Sequence, residues 1–515
     1  YNKNDPEALI YQNNAFLAWR RKSFSDSESF SISAVISSFL DSIPFSIAAV
    51  ISSFLDSKLF SIAAIVPIGG NSEVSLEILR GIAHAQDELI KNYEAECAPN
   101  NNEKVCQEKF KQLFQVIIID DGNDKTKAKE IAKHLINKKN EVLAVVGHNV
   151  SEVSTEAAIE YQKGGLLMIS PTSFALDFKK LDTTYPDRSK KNYIFTATIS
   201  HDVLANKLAD VISNENKKTK ILSCYDSTAM DQEAFVRTLE ESKKYKFEII
   251  KSLGGEHNQR CDFSKENTNL PQTLDLVNDL INKNKIGAIL VAPHVNTIGD
   301  SIHLLRSIEK EKVKIYSSPT LFTNQTLLLG EKIVEGITLA VSWIPGSNKS
   351  KNACEFEKKA IELWSNDTKE SDSENAREFE RKAMEPCSND TKESDSDPRI
   401  LELNKIGVTW RSVGAYNATR AVIQGFNNDP ISPFPTRESL SASLSSKNFI
   451  LEKGVPDKIE FYNNCQENDK NCAVGKLKAS NDDPLLVETK AVEKKQYKVL
   501  EFTVVNDKNS SLQKE

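Results

Sequence analysis

From residue 60 onward the chain alternates short apolar runs with segments of helical spacing. Residues 61–68 (SIAAIVPI) form an apolar run closed by Pro67 and the Gly69-Gly70 pair. Residues 75–89 (SLEILRGIAHAQDEL) put Leu76, Leu79, Ile82, Ala83 and Leu89 on one helical side. Residues 114–120 (FQVIIID) predict the next strand, stopped by Asp121-Gly122, and 127–137 the next helix. A strand over 142–147 (VLAVVG) leads to a helix over 151–165, with Ser151 as N-cap and Gly164-Gly165 as its stop. A strand at 166–170 (LLMIS) ends at Pro171. Continuous apolar strands separated by helices predict a parallel sheet buried on both faces.

The alternation then repeats. Residues 193–197 (YIFTA) precede a helix over 202–212, and 220–225 (KILSCY) precede one over 233–242, followed by FEIIKSL. A helix over 270–284 leads into GAILVAP at 287–293, and one over 298–310 leads into KIYSSP. Two such blocks predict an α/β protein of two doubly wound lobes. Further on, 336–343 (GITLAVSW) predict a strand, and 410–426 a helix offering Val413, Tyr416, Ala421 and Ile423 for burial. Short strands follow at 457–462, 484–488 and 497–505.

Two tandem duplications interrupt this pattern. Residues 30–44 (FSISAVISSFLDSIP) recur as 45–59, a shift of 15 residues, and a partial third copy starts at Phe60. Residues 355–373 (EFEKKAIELWSNDTKESDS) recur as 378–396, with Cys387 standing where the first copy has Trp364. Neither has the number of copies a stacked solenoid needs. The shared SNDTKESDS tails are polar and charged and are expected to be solvated loops.

Composition narrows the classes. With 515 residues, 66 Lys and Arg against 73 Asp and Glu, and a formal charge of −7, the chain lacks the basic stripe of a nucleic-acid binder. Its longest apolar candidate, 42–55, is broken by Ser42, Pro44, Ser46, Ser52 and Ser53, whereas a span needs about 20 apolar residues. The chain starts at Tyr1 without a charged-then-apolar leader, so no export signal is read from it. Cys97 and Cys106 bracket one short polar stretch, and Cys465 and Cys472 another. Each pair suits a local disulfide better than zinc, whose cysteines come about two to four residues apart. Disulfides would imply an oxidising compartment.

Ligands of open α/β sheets sit at the carboxyl ends of the strands. There the sequence offers Gly69-Gly70-Asn71-Ser72, His148-Asn149-Val150-Ser151, Ser170-Pro171-Thr172-Ser173, Tyr225-Asp226-Ser227 and Ser317-Ser318-Pro319-Thr320. These loops are small, hydroxyl-rich and mostly neutral. Beside helix N-termini they suit a small carboxylate, although any single Ser or Thr there would serve equally as a cap. His148 reads as a structural hydrogen-bond partner, and Asp120-Asp121 as either a cation site or the turn before Gly122. There is no G-x-G-x-x-G, Walker A, H-E-x-x-H or G-x-S-x-G motif. No catalytic residue, metal ligand or cofactor is assigned.

The runs IAAIVPI, EILRGIAHAQDE, IIIDDGND, AKEIAKHLIN, LAVVGHNVSEVS and LLMISPTS, in this order and at close spacing, carry a family likeness. The chain resembles the type I periplasmic solute-binding proteins of ABC transporters, in the leucine/isoleucine/valine-binding group. Residues 4–15 (NDPEALIYQNNA) are similar to a segment of the cyanobacterial variant. The resemblance implies two lobes joined by a three-strand hinge, with crossovers near Thr198, Gly336 and Val455. It implies a first lobe of 61–198 plus 336–455, carrying the duplicated insertion 355–396, and a second of 199–335 plus 456–515, with 1–60 as an N-terminal extension. Ser151 matches the family's carboxylate-binding serine, and Thr172, with Ser173 beside it, the position that binds through backbone and side chain. Tyr225, Asp226 and Thr320 are the ligand-facing candidates of the second lobe. Three positions depart from the pattern. Phe174 replaces a threonine, no acid occurs at Pro319 or Thr320 where the family binds the ligand's ammonium, and the loop after Tyr225-Asp226 is short. Asp226 is the candidate substitute acid.

The expected function is that of a non-enzymatic, monomeric, extracytoplasmic protein. It would capture a small polar ligand, an amino acid or related carboxylate, by lobe closure and deliver it to an ABC permease. The alternative is a ligand-sensing ectodomain of the same fold. An α/β enzyme would need a clustered acid, base or nucleophile, which the sequence does not supply. Because only the last 15-residue copy is followed by the expected turn and helix, deletion of residues 30–59 should leave the protein folded and soluble. Loss of soluble protein, or of the cooperative melting transition, would show that the earlier copies are structural.

Overall fold

The computed structural model describes residues 5–25, 60–97, 103–110, 112–139, 141–185, 191–215, 220–241, 247–254, 259–264, 270–283, 285–308, 312–347, 350–365, 403, 406–427, 435–446, 449–461, 477–478, 485–494 and 497–504. A helix, α1 (Pro6–Ser25), precedes the first sheet. That lobe follows as β1 (Phe60–Val66), α2 (Ser72–Cys97), α3 (Glu103–Phe110), β2 (Phe114–Asp120), α4 (Lys125–Ile136), β3 (Val142–Val146), α5 (Ser151–Gly164), β4 (Leu167–Ser170), α6 (Phe178–Thr184) and β5 (Ile194–Thr196). The second unit runs α7 (His201–Glu215), β6 (Lys220–Tyr225), α8 (Met230–Glu241), β7 (Glu248–Ile250), β8 (Ser252–Gly254), β9 (Gln259–Asp262), α9 (Leu270–Asn282), β10 (Ala288–Ala292), α10 (Ile298–Ser307), β11 (Lys314–Ser317), α11 (Asn324–Gly330) and β12 (Thr338–Val341). Helices α12 (Lys351–Trp364), α13 (Trp410–Asn427) and α14 (Arg437–Leu444) return to the first lobe. Strands β13 (Ile450–Leu451), β14 (Ile459–Phe461), β15 (Leu477–Lys478), β16 (Leu485–Lys494) and β17 (Tyr497–Val504) end the described chain.

The first sheet has the order β2-β1-β3-β4-β5, all parallel. Strands β1 and β3 are almost wholly buried, as expected of a sheet covered on both faces. The second sheet runs β17-β16-β12-β11-β10-β6-β9-β8, with β7 also on β6, and β16-β17 an antiparallel hairpin at one end. The apolar runs that predict strands in the sequence are thus the sheet cores of two doubly wound lobes. Helix α5 ends where expected: Gly165 takes the left-handed conformation (φ 66°) and its N–H bonds the Tyr161 carbonyl.

Several boundaries differ from the sequence expectation. Strand β12 pairs in parallel with β11 and antiparallel with β16, so it belongs to the second sheet and the chain returns after Val341 instead of near Gly336. Residues 457–461 and 477 stay with the first lobe. The Leu477 N–H bonds Thr196 Oγ1 at 3.2 Å, and Phe461 packs edge-on against Phe195 at 5.2 Å. The third crossing therefore lies between Lys478 and Leu485, not near Val455. Ser151 is the first helical residue of α5, not its N-cap; the cap is Val150, with no side-chain bond. The N-terminal helix is part of the first lobe. Asn14 accepts from the Val116 N–H at 3.1 Å and donates to the Val116 carbonyl at 2.8 Å. Its amide thereby covers the free edge of β2, which would otherwise expose ladder groups.

The disulfide expected between Cys97 and Cys106 is present. A second, Cys224–Cys261, joins directly paired residues of β6 and β9 and was not anticipated. Cys465 and Cys472, residues 26–59 and the second copy of the 23-residue duplication lie outside the described residues. Among those described, no helix is long and apolar enough to cross a membrane.

A buried ion pair ties the two lobes together. Gly81 lets α2 approach α13 so closely that a Cβ there would meet the Ser412 carbonyl at 2.0 Å. This brings Glu77 of α2 to Arg411 of α13, Oε2 to Nη1 at 3.0 Å, both side chains almost fully buried. Thr409 donates to Glu77 Oε2 (2.9 Å). From the second lobe, Thr323 donates to Glu77 Oε1 (3.1 Å), while Arg411 donates to the carbonyls of Phe322 (3.0 Å) and Thr320 (3.4 Å). Removing one partner of such a pair strands the other charge, at about 3–5 kcal/mol, whereas replacing both with apolar groups is near neutral. Urea unfolding should therefore show Arg411→Met destabilised by about 3–5 kcal/mol. The Glu77→Leu/Arg411→Met double variant should recover most of that loss.

Candidate functional site

The carboxyl ends of β1, β3 and β4 face those of β6, β10 and β11 across the lobe boundary, and the two lobes touch. Asn71 Nδ2 donates to the Val295 carbonyl at 3.1 Å and to Gln325 Oε1 at 3.2 Å. Thr155 Oγ1 donates to Met230 Sδ at 3.8 Å.

On the first-lobe side the nominated hydroxyls converge on one loop pair. Ser151 Oγ accepts from the Ala175 N–H (3.1 Å). Thr172 donates to the Asn149 carbonyl (2.7 Å), as does Ser173 (3.2 Å), and Ser173 also shares a 2.5 Å bond with Ser154. All three are buried and bonded within their own lobe. Phe174 packs its ring into the hydrophobic core, so the bulk it adds is core bulk. His148 is the structural partner that its position suggested. Its Nδ1 lies 2.6 Å from Asp121 and its Nε2 3.3 Å from the Tyr161 hydroxyl, all buried. Asp120 takes the turn reading: its Oδ1 accepts the N–H groups of Gly69 (3.0 Å) and Gly122 (2.8 Å).

On the second-lobe side, Thr320 Oγ1 accepts from Gln232 Nε2 at 2.9 Å. Asp226 folds back on its own loop, accepting from the Thr228 N–H (3.1 Å) and hydroxyl (2.6 Å) and from Thr297 (3.4 Å). Tyr225 lies under Lys251, 5.7 Å from ring centroid to Nζ. Burial, together with Glu233, pushes its phenol well up. The structure thus brings Ser151, Thr172 and Ser173 together, sets Thr320 beside Gln232, turns Asp226 toward partners within the second lobe, and leaves the buried Tyr225 hydroxyl without a hydrogen-bond partner.

The charged groups at this boundary were not singled out in the sequence. Glu152, at the start of α5, faces His294 of the second lobe, Oε1 to Nε2 at 3.7 Å. His294 Nδ1 accepts from the Asn296 N–H (3.2 Å), which leaves the ring proton on Nε2, toward Glu152. Asp231, in the first turn of α8, is buried; its Oδ1 accepts from the Gln232 N–H at 2.9 Å. Burial, and then the charge of Glu152, push its pKa up to about 8. Glu152 Oε2 and Gln232 Oε1 are buried without a hydrogen-bond donor. First-turn acids read in a sequence as complements to the helix dipole, which is why Glu152 and Asp231 gave no distinct signal.

No protein-family model matches the chain, and no curated protein matches it in sequence. Solved structures do match in fold. One is the branched-chain amino acid transporter substrate-binding protein LivJ of Streptococcus pneumoniae in complex with isoleucine: TM-score 0.55, 14% identity, covering 87% of this chain and 100% of that one. Another is the leucine-binding protein LivK of Thermotoga maritima: TM-score 0.54, 14% identity, covering 87% and 99%. A third is an ABC-transporter solute-binding protein of Rhodopseudomonas palustris in complex with 3,4-dihydroxybenzoic acid: TM-score 0.55, 14% identity, covering 87% and 97%. The fold is that of the type I periplasmic solute-binding proteins.

The burial of Asp231, with the charge of Glu152 acting on it, makes the stability of the fold sensitive to pH. A carboxyl whose folded pKa is raised contributes most where both states keep the proton, below about pH 4. It loses that contribution as pH rises through about 8. Asp231→Asn removes the titration. Melting temperatures followed from pH 4 to 9 should converge at the acid end, with the variant higher by several degrees at pH 8. Parallel curves would show that Asp231 does not titrate in this range.

Proposed function

We propose that the protein is an extracytoplasmic solute-binding protein that captures a small ligand bearing a protonated amine, an amino acid in the first instance, between its lobes and delivers it to an ABC permease. The observation that carries this reading is the composition of the facing strand ends. The hydroxyls of Ser151, Thr172 and Ser173 lie on one side. Buried acids reach the boundary from both lobes, with Glu152 Oε2 lacking a donor.

An ammonium among Glu152, Asp231 and the Gln232 carbonyl oxygen would turn an acid–acid repulsion into two charge-assisted hydrogen bonds, about 1.5–3 kcal/mol each. These residues, not Pro319 or Asp226, would take the role of the family's ammonium-binding acid. The helix N-terminus of α5 and the nearby hydroxyls would receive the ligand's carboxylate. The disulfides Cys97–Cys106 and Cys224–Cys261 support an oxidising, extracytoplasmic setting. The solved relatives in fold are named as transporter binding proteins with an amino acid or an aromatic acid bound, which supports a permease as partner.

A thermal-shift screen of amino acids, amines lacking a carboxylate, and carboxylates lacking an amine tests this. Amino acids at about 100 times Kd should stabilise the protein by about 2.7 kcal/mol. Glu152→Gln should weaken binding at least tenfold, and carboxylates alone should be inert. Absence of any shift with amines or amino acids would defeat the reading.

A further inference from the structure

His294 stands where the two lobes meet. It follows β10 in the turn that enters α10, and the first lobe grips that turn at the next residue, where Asn71 Nδ2 donates to the Val295 carbonyl at 3.1 Å. The imidazole Nε2 lies 3.7 Å from Glu152 Oε1, with the two side chains 12% and 10% exposed. That separation is too long for a hydrogen bond but within reach of an ion pair, and so little exposure leaves such a pair weakly screened by salt.

The state of the ring therefore decides what Glu152 has to offer. While His294 is neutral, its Nδ1 accepts the Asn296 N–H at 3.2 Å, and the carboxylate keeps its full negative charge, with Oε2 lacking a donor. The proton that makes the ring cationic goes to Nδ1 and displaces the Asn296 N–H, which lies at an exposed position where water can replace it. The imidazolium then neutralises Glu152 and stands as a second cation beside anything positive that approaches the same carboxylate. The further charged groups that the geometry sets near this turn are also acids. Asp226 Oδ2 lies 3.4 Å from Thr297 Oγ1, which lies 3.2 Å from the His294 carbonyl, and Asp300 occupies the first turn of α10. Asp231 of α8, mostly protonated below about pH 8, adds little. An opposite charge as near as Glu152 favours the protonated ring by more than the loss of one exposed neutral bond opposes it.

We propose that His294 competes with the ligand's ammonium for Glu152, so that the protein binds an amine while the ring is neutral and gives it up when the ring takes a proton. This rests on the reading of Glu152 as the ammonium acceptor. Binding and protonation are linked reciprocally: acid weakens binding, and a bound ammonium makes the ring harder to protonate. An imidazole ordinarily titrates near pH 6.5, so the window from pH 5 to 7 reports on His294 while lying below the titration of Asp231.

The test uses the full chain with 15N-labelled histidine. The protein has 7 histidines, and the His294 ring signals are assigned by His294→Gln. The probes are leucine and propylammonium, whose ammonium groups stay charged throughout this window. Without ligand, His294 should titrate about one pH unit lower in Glu152→Gln than in the wild type, and a saturating probe should lower its titration in the wild type in the same sense. At fixed ionic strength the dissociation constant of the probe should rise about tenfold from pH 7 to pH 5, and His294→Gln should remove most of that rise. A His294 titration indifferent to both Glu152→Gln and the probe overturns the proposal, as does a rise that survives His294→Gln in full. Binding that stays constant from pH 7 to pH 5 also overturns it, while leaving the amine-binding reading intact. No binding of either probe at either pH, with His294 still responding to Glu152→Gln, defeats that reading and the competition with it.

Discussion

The arrangement of the lobes depends on one buried charge pair. Glu77 and Arg411 lie 334 positions apart in sequence, on two helices of the first lobe, yet much of what satisfies them belongs to the second: the hydroxyl of Thr323 and the carbonyls of Thr320 and Phe322. A pair in this position gains little net energy over an apolar contact. What it supplies is direction. A guanidinium fixes its donors in a plane, so the turn holding residues 320–323 can seat in one orientation only, and the ends of β10 and β11 are carried with it toward the first lobe.

The opposite condition holds where α5 meets α8. There burial, and then the charge of Glu152, raise the cost of ionising Asp231. The lobe boundary is thus stitched at the Glu77–Arg411 side and electrostatically opposed at the Glu152–Asp231 side. The two sides of the boundary therefore carry opposite electrostatic characters.

Much of the architecture was legible because burial on both faces of a parallel sheet leaves a strong local trace: unbroken apolar runs such as residues 142–146 and 288–291. The errors fall where the decisive contact is remote. Strand β12 reads correctly as a strand, but its pairing with β11 and β16 has no signature in its own residues. Cys224 and Cys261 face each other across a strand pair, 37 positions apart, and neither sits in the polar, cysteine-flanked stretch that made Cys97 and Cys106 conspicuous. Asn14 looks like an ordinary helix polar residue until the bare edge of β2 lies beside it. At the boundary between lobes, loop composition drew attention to hydroxyls, which the structure uses within one lobe. It passed over Glu152, which stands one position after the nominated Ser151.

That displacement has a physical reason. A hydroxyl at a strand end has two roles and a freely turning hydrogen, so its own lobe readily satisfies it, as Asn149 does for Thr172 and Ser173. Such a group offers a ligand only an exchange of one bond for another, which is worth little. An ionised carboxylate accepts at two oxygens and cannot donate. Glu152 faces His294 through Oε1 at 3.7 Å, while its Oε2 has no donor, so a donor that reaches Oε2 adds a bond its neighbours do not supply. At the facing strand ends the fold leaves Glu152 Oε2 and Gln232 Oε1 without a partner, together with the hydroxyls of Tyr225 and Ser318, whereas Thr172 and Ser173 are satisfied within their own lobe.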